Sequence, residues 1–265
     1  MAQLRLPDGW TFLMNNRRHT GNVMHSHHYH DILEIYYMAS GKCSYFIDGK
    51  SYEVLTGDVV LIPEGVIHKT IYGTEEHSRI LIECSGHFVP DEVRGRLGTM
   101  LHLYRNPTVS RDVHALLKNI EAEYRNPDEF TPSALLAHMH LLFYFLVRNQ
   151  HLASADDKKN PLIENVVSYI KKNFASDITL SSVAKEHFVS PEHLSRSFKR
   201  GTGFGFNEYL TLVRLQHAEY LLKERKHESI SSIAYSSGFN DSNYFSDKFK
   251  RAYGVSPLKY SKDYR

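Results

Sequence analysis

Cysteine is nearly absent from this 265-residue chain: Cys43 and Cys84 are its only two, and there is one tryptophan. Two isolated thiols exclude a disulfide framework and a cysteine-based zinc finger. No run approaches the roughly 18 apolar residues of a membrane-spanning helix. The opening MAQLRLPDGW has no apolar core behind a basic head, so no secretory signal is expected and a reducing cytoplasm is the simplest home. What remains is an ordinary globular balance, 42% hydrophobic and 23% charged. At this length about two domains are expected, each able to bury its own core.

The net charge of +2 hides an asymmetry. Residues 161–265 hold 16 Lys and Arg against 11 Asp and Glu, while the rest holds 16 against 19. A basic C-terminal third points weakly to a polyanionic partner; a solvated surface of mixed charge explains the count equally well.

Up to about residue 90 the pattern is that of short strands. CSYFIDGKSYEVL (43–55) places two β-rich runs around Asp48-Gly49, a two-residue hairpin signal. DVVLIP, VIHKTIY and RILIECS continue it, which favours a small barrel or sandwich. From about 108 the period becomes helical, through Val113, Leu116, Leu117, Ile120 and Tyr124. A strongly apolar helix follows over 132–149, with Thr131 and Pro132 as cap and first-turn residue. Its apolar residues cover so much of its circumference that it serves internal packing, a dimer interface, or both. HLASADDKKNP (151–161) reads as a linker.

The last hundred residues contain a repeat. LSSVAKEHFVSPEHLSRSFKRGTG (180–203) returns as ISSIAYSSGFNDSNYFSDKFKRAYG (230–254), with one extra residue in the connection near Gly238. Each copy predicts helix, tight turn, helix. Val183 and Ala184, or Ile233 and Ala234, are buried in the first helix; Leu194 and Phe198, or Phe245 and Phe249, in the second. Ser190 with Pro191, and Asp241, are N-cap signals for the second helices. Their other faces then present Glu192, Ser195, Arg196 and Lys199 in copy one. Copy two presents Ser242, Asn243, Ser246, Asp247 and Lys250. A helix face of hydrogen-bonding side chains that ends in Lys-Arg suits a major groove flanked by phosphates. Arg196 is expected to read a base and Asn243 an adenine, while Asp247 either accepts from cytosine or merely repels the wrong sequence. Lys199, Arg200, Lys250 and Arg251 are expected on phosphates. Lys172 and Arg214 could extend that footprint, although Arg214 could equally brace helices. A helix over 206–224, on the spacing of Leu212, Leu215, Ala218 and Leu222, would hold the units apart, about 34 Å if they enter successive major grooves.

The segment ISSIAYSSGFNDSNYFSDKFKRAYGVSPLKY closely resembles the signature of AraC/XylS-type transcription regulators, and the resemblance extends over about 162–261. It implies two helix-turn-helix units on a linker helix, a double-stranded DNA partner, and activation through RNA polymerase beside a promoter. Ser261 follows Tyr260 where the family has arginine, a peripheral departure.

Near the N-terminus, HSHHYHDILE (25–34) holds four histidines and two acids. His28, His30 and Glu34 share parity, so an extended strand turns all three to one face. His25 and His27 have the opposite parity. With GDVVLIPEGVIH (57–68), His28, His30, Glu34, Gly41, Gly57, Pro63, Gly65 and His68 resemble both cupin motifs, except that Tyr72 replaces the closing asparagine. That resemblance implies a site for a divalent metal, zinc, nickel, iron or manganese. In regulators of this family the same barrel often holds a small effector, commonly a sugar, without catalysis; the four residues then line its mouth. Tyr36, Tyr45 and Phe46 are candidates to flank a sugar ring.

The expected fold is multidomain α+β. A cupin-like β-barrel over 1–105 is followed by a helical dimerisation or packing segment (106–150), a linker (151–161) and an all-α double helix-turn-helix domain (162–265). The expected function is an effector-responsive DNA-binding regulator, an activator and a homodimer, with no membrane partner and no enzyme activity. The rival is a metal-dependent cupin enzyme carrying a nucleic-acid-binding domain. A weaker third reading is a DNA-binding scaffold whose barrel only dimerises.

Overall fold

A computed structural model describes residues 4–19, 32–100, 102–154, 160–225 and 228–263. The chain divides into two compact units, one built on β-sheet and one holding residues 159–265.

The first unit has strands β1 (Phe12–His19), β2 (Leu33–Ser40), β3 (Lys42–Ile47), β4 (Lys50–Leu55), β5 (Val59–Ile62), β6 (His68–Tyr72), β7 (His77–Cys84), β8 (Leu103–Tyr104) and β9 (Ala153–Ser154). A six-stranded sheet runs β1-β7-β2-β5-β8-β9, and a three-stranded sheet runs β4-β3-β6. The β3–β4 turn takes the left-handed conformation at both Asp48 (φ 48°) and Gly49 (φ 97°), the geometry that lets a two-residue loop match the twist of its strands.

Strand alternation creates two interiors from one large sheet. Tyr36, Met38, Val60 and Ile62 face the small sheet and bury with Cys43, Tyr45, Ile47 and Tyr72. Leu33, Ile35, Tyr37, Val59, Leu61, Ile80 and Ile82 face the other way. They are covered by α2 (Pro107–Arg125) and α3 (Thr131–Arg148), which follow the short α1 (Asp91–Arg94). Both faces are apolar because both are covered, so β2 and β5 read as continuous apolar runs.

Two sequence expectations shift. Helix α3 begins at Thr131, with Phe130 as its N-cap rather than Thr131. The Asp128 carboxylate accepts from the Phe130 and Thr131 amides at 2.9 and 3.1 Å, doing the work a capping threonine would have done. The expected linker at 151–161 also starts too early, since Ala153 and Ser154 pair with Tyr104 and Leu103 as the last strand of the sheet. Gln150 anchors that return by accepting from the Tyr104 hydroxyl at 2.7 Å.

The second unit holds α4 (Pro161–Asn173), α5 (Leu180–Glu186), α6 (Pro191–Thr202), α7 (Phe206–Glu224), α8 (Ile230–Ser236), α9 (Ser242–Tyr253) and α10 (Pro257–Asp263). Both repeat copies form helix, turn, helix. Ser190 accepts from the His193 amide and Asp241 from the Tyr244 amide, at 3.2 and 2.6 Å. Val183, Ala184, Leu194, Phe198, Ile233, Ala234, Phe245 and Phe249 are all fully or almost fully buried. Helix α7 is buried on several sides, through Tyr209, Val213, Leu215, Ala218 and Leu222, with Leu212 half-buried.

Candidate effector pocket and nucleic-acid interface

In α6 the side chains turned from the core are Glu192, Ser195, Arg196, Lys199 and Arg200, all exposed. In α9 they are Asn243, Asp247, Lys250 and Arg251, exposed, with Ser242 and Ser246 half-buried. The buried i, i+4 pairs pin the opposite face, so each set forms one continuous polar surface. Two members are engaged internally. The Ser246 hydroxyl donates to the Ser242 carbonyl at 2.8 Å, and Lys199 Nζ stands 3.9 Å from Glu208 Oε2. Arg214 is an internal brace: its Nε and a terminal nitrogen donate to the carbonyls of Phe174 and Ser176, at 2.8 and 3.0 Å. Burial lowers its pKa, Asp177 countering in part, as befits a cation spent on protein carbonyls. Lys172 is exposed on α4.

One buried group of the second unit escaped sequence reasoning. Glu219, on α7, accepts from the hydroxyls of Tyr260 (2.6 Å) and Tyr253 (3.1 Å) and pairs with Lys223 at 2.6 Å. It fastens α9 and α10 to the linker helix. Its only sequence signal is an acid inside an otherwise apolar stripe.

In the sheet unit, Glu34 and His68 are both buried and meet, His68 Nε2 lying 3.5 Å from Glu34 Oε2. Tyr45 donates its hydroxyl to Glu34 Oε1. Burial first, and the Glu34 charge second, raise the Tyr45 phenol well above its ordinary pKa, so it is a neutral donor. His68 Nδ1 lies 2.8 Å from the Val66 carbonyl, an acceptor only, so Nδ1 carries the hydrogen. Its Nε2 faces a carboxylate oxygen of Glu34. His28 and His30 lie outside the described residues. Among the described residues no group of three or more His, Cys, Asp or Glu side chains forms a metal-binding cluster.

Tyr36 stands with Tyr45, ring centroids 5.3 Å apart, while its hydroxyl contacts Cys43 Sγ at 3.7 Å. Phe46 does not join them. It is adjacent to Tyr45 on β3, so alternation turns it to the opposite face, beside Lys69 of β6. Alternation separates neighbours, and only packing tells which of them is inside. Two buried inner-side residues went unread in the sequence, His77 and Arg79; Tyr72, noted there only as a departure from the cupin motif, is buried with them, and His77 stacks on it at 4.1 Å.

A brace outside this pocket was also missed. Arg105 Nε lies 3.1 Å from each Asp58 oxygen, and Asp58 accepts the Leu55 amide at 2.7 Å. Gly57-Asp58 therefore fixes the turn before β5.

Comparison with known proteins supports both halves. A model described as an AraC-like ligand binding domain matches residues 14–141, and one described as a helix-turn-helix domain matches 183–263. The HTH-type transcriptional activator RhaS of Klebsiella pneumoniae is 28% identical over 242 residues, covering 87% of this chain and 85% of its own. The HTH-type transcriptional regulator YijO of Escherichia coli K12 is 38% identical over 107 residues, which is 40% of this chain and 38% of that one. The solved C-terminal domain of AraT, a response regulator from Geobacillus stearothermophilus, aligns with 40% of this chain and 88% of its own, at 38% identity and a TM-score of 0.38. With a ligand-binding β unit ahead of paired helix-turn-helix units, this chain belongs to the AraC family of ligand-responsive, DNA-binding transcription regulators.

Proposed function

We propose that the protein is a cytoplasmic transcription activator, dimeric through its sheet unit, whose barrel senses a small molecule without transforming it and whose α6 and α9 read DNA beside RNA polymerase. The observation that carries this is the matched polar faces of α6 and α9, each backed by a buried i, i+4 pair and each ending in Lys-Arg. Arg196 and Asn243 carry base readout, with Glu192, Ser195, Ser242, Ser246 and Asp247 around them. Lys199, Arg200, Lys250 and Arg251 bind phosphates. Similarity to an activator supports the sense of regulation. The rival reading as a cupin enzyme gains no support from these relatives, and paired helix-turn-helix units serve a sensor rather than an oxygenase.

The test is binding to a sequence selected from genomic fragments, set against random DNA. Arg196→Ala should weaken the selected site by about 1–3 kcal/mol and random DNA far less. Neutralising Lys199, Arg200, Lys250 and Arg251 should instead make the salt slope shallower, by about 0.9 for each phosphate that no longer meets a cation. Equal losses on both DNAs for Arg196→Ala would place its guanidinium on the DNA backbone.

A specific observation also favours a cation at the barrel mouth, the Nε2 of His68 facing Oε2 of Glu34. A divalent metal there would be held by these two atoms together with His28 and His30, and would supply a Lewis-acidic anchor for an oxygen of the effector. Metal analysis of purified protein should find near-stoichiometric metal that His68→Ala loses. A metal-free wild type would leave the pair as a polar lining of the barrel.

A further inference from the structure

We propose that Tyr244 and Lys248 belong to the DNA-reading surface of α9, the ring packing against the 5-methyl group of a thymine and the ammonium meeting a phosphate beside it. The inference deepens the reading of α9 as a groove-entering helix and rests on it.

Position places the ring among the base-reading side chains. Tyr244 is the third residue of α9, and the N-terminal residues of a recognition helix are the ones that meet base edges. It lies three residues before Asp247 and four before Lys248, the spacings at which side chains on a helix are neighbours. The buried Phe245 and Phe249 take the other side of the helix, and Tyr244 is left 51% exposed. In the major groove the apolar group on a base edge is the thymine methyl, which is what a ring held there can read.

The ring is fixed before any DNA arrives. Phe239, only 3% exposed, packs against it with ring centroids 6.3 Å apart and planes at 52°. Lys248 Nζ stands 5.2 Å from the ring centroid, within reach of the attraction between a cation and an aromatic face. An exposed ring held by a buried neighbour and a cation loses little freedom on binding, which favours a recognition role.

The repeat shows that this pair is particular to the second unit. Counted from the caps Ser190 and Asp241, Tyr244 matches His193, Asp247 matches Arg196 and Lys248 matches Ser197. In copy one Ser197 is 7% exposed, its hydroxyl 3.4 Å from His193 Nε2. Arg196 lies midway between the buried Leu194 and Phe198, hence at the centre of the opposite face, and Asp247 has the same place between Phe245 and Phe249. Copy two thus exchanges Arg-Ser for Asp-Lys. A helix turns by about 100° per residue, so the exchange moves the cation from the centre of the reading face to its flank, where the phosphates border the groove. The two units therefore read unlike sub-sites, and the second holds a thymine beside the adenine of Asn243.

Fluorescence anisotropy of the full-length protein tests this on a duplex selected from random sequence. The same duplex is also made with deoxyuridine for every thymine, which deletes the methyl groups and keeps every hydrogen-bonding edge. On that exchange wild type should lose about fourfold more affinity than Tyr244→Ala loses, the burial of one methyl group. Tyr244→Phe should discriminate as wild type does, because the ring supplies the contact. Lys248→Gln should weaken both duplexes alike and make the salt slope shallower by about 0.9. Circular dichroism checks the fold of each variant. Equal losses for wild type and Tyr244→Ala would overturn the thymine contact, and an unchanged slope would overturn the phosphate contact. Asn243→Ala separates the two levels. If it weakens the selected duplex while the thymine test fails, α9 still reads DNA; if it too is silent, the reading of α9 falls as well.

Discussion

One repeat position is filled by residues of opposite conformational cost. In copy two the chain turns between α8 and α9 through Gly238, at φ 83°. A Cβ there would lie 2.5 Å from the Phe174 carbonyl oxygen and 2.9 Å from Arg214 Nε, so even a left-handed alanine has no room. In copy one the residue that closes α5 is Phe188, also left-handed at φ 55°, and its side chain is 96% exposed. A β-carbon in that region costs about 1–2 kcal/mol, and an exposed ring recovers none of it through burial. Gly238→Ala should therefore destabilise the unit by about 1–3 kcal/mol. Phe188→Gly should stabilise it by up to about 1 kcal/mol once the extra freedom of unfolded glycine is counted. Denaturant unfolding of the two variants checks both signs, and a destabilised Phe188→Gly would show that the ring has a packing role.

Between elements, α7 is tied to the end of α8 through a half-buried histidine. His217 on α7 lies 3.1 Å from the hydroxyl of Ser237, which follows α8. Burial first, and the nearby Arg225 second, lower its pKa. The folded chain thus binds this proton less readily than the unfolded chain. The stability it contributes is full above the ordinary histidine value of about 6.5 and declines as the pH falls through it. Wild type should lose more stability between about pH 7.5 and 5.5 than His217→Gln, measured as denaturant midpoints. Equal losses would mean that other groups carry the acid sensitivity. The same scale shows why the helices were legible. The i, i+4 pairs Leu194/Phe198 and Phe245/Phe249, with their cap residues, are local signals, and a helix is stabilised largely within itself. The start of α3 was misplaced because Asp128 reaches it from outside the helix, and the last strand was missed because two residues carry no period.

For the whole molecule the open question is how two units act as a switch. An effector shifts an equilibrium only as far as it prefers one arrangement over another, so the sheet unit needs surfaces that distinguish arrangements. Helix α3 offers one. Leu135, Met139, Leu142, Phe143 and Leu146 bury against the sheet, while Leu141 remains 57% exposed and Ala137 is exposed beside it. The sequence left packing and dimerisation both open for this helix; the packing is observed, and the outer stripe is the dimer surface we propose. Leu141→Glu should convert a dimer into a monomer in sedimentation velocity with unchanged circular dichroism. A dimer that persists would move the interface elsewhere.

The family, the order of its two domains and the exposed polar faces of α6 and α9 were legible in the chain alone, because they rest on a repeat, on caps and on helical periods that neighbours in sequence set. The parity of Glu34 was equally legible, since alternation along a strand is a local rule. Which side of β3 is the inside, and so that Tyr45 joins Glu34 while Phe46 does not, was decided only when the two sheets met. The same holds for Arg105 on Asp58 and for Glu219 under Tyr253 and Tyr260. Each joins residues distant in sequence, and only the closing of the sheets and the packing of the helices made them neighbours.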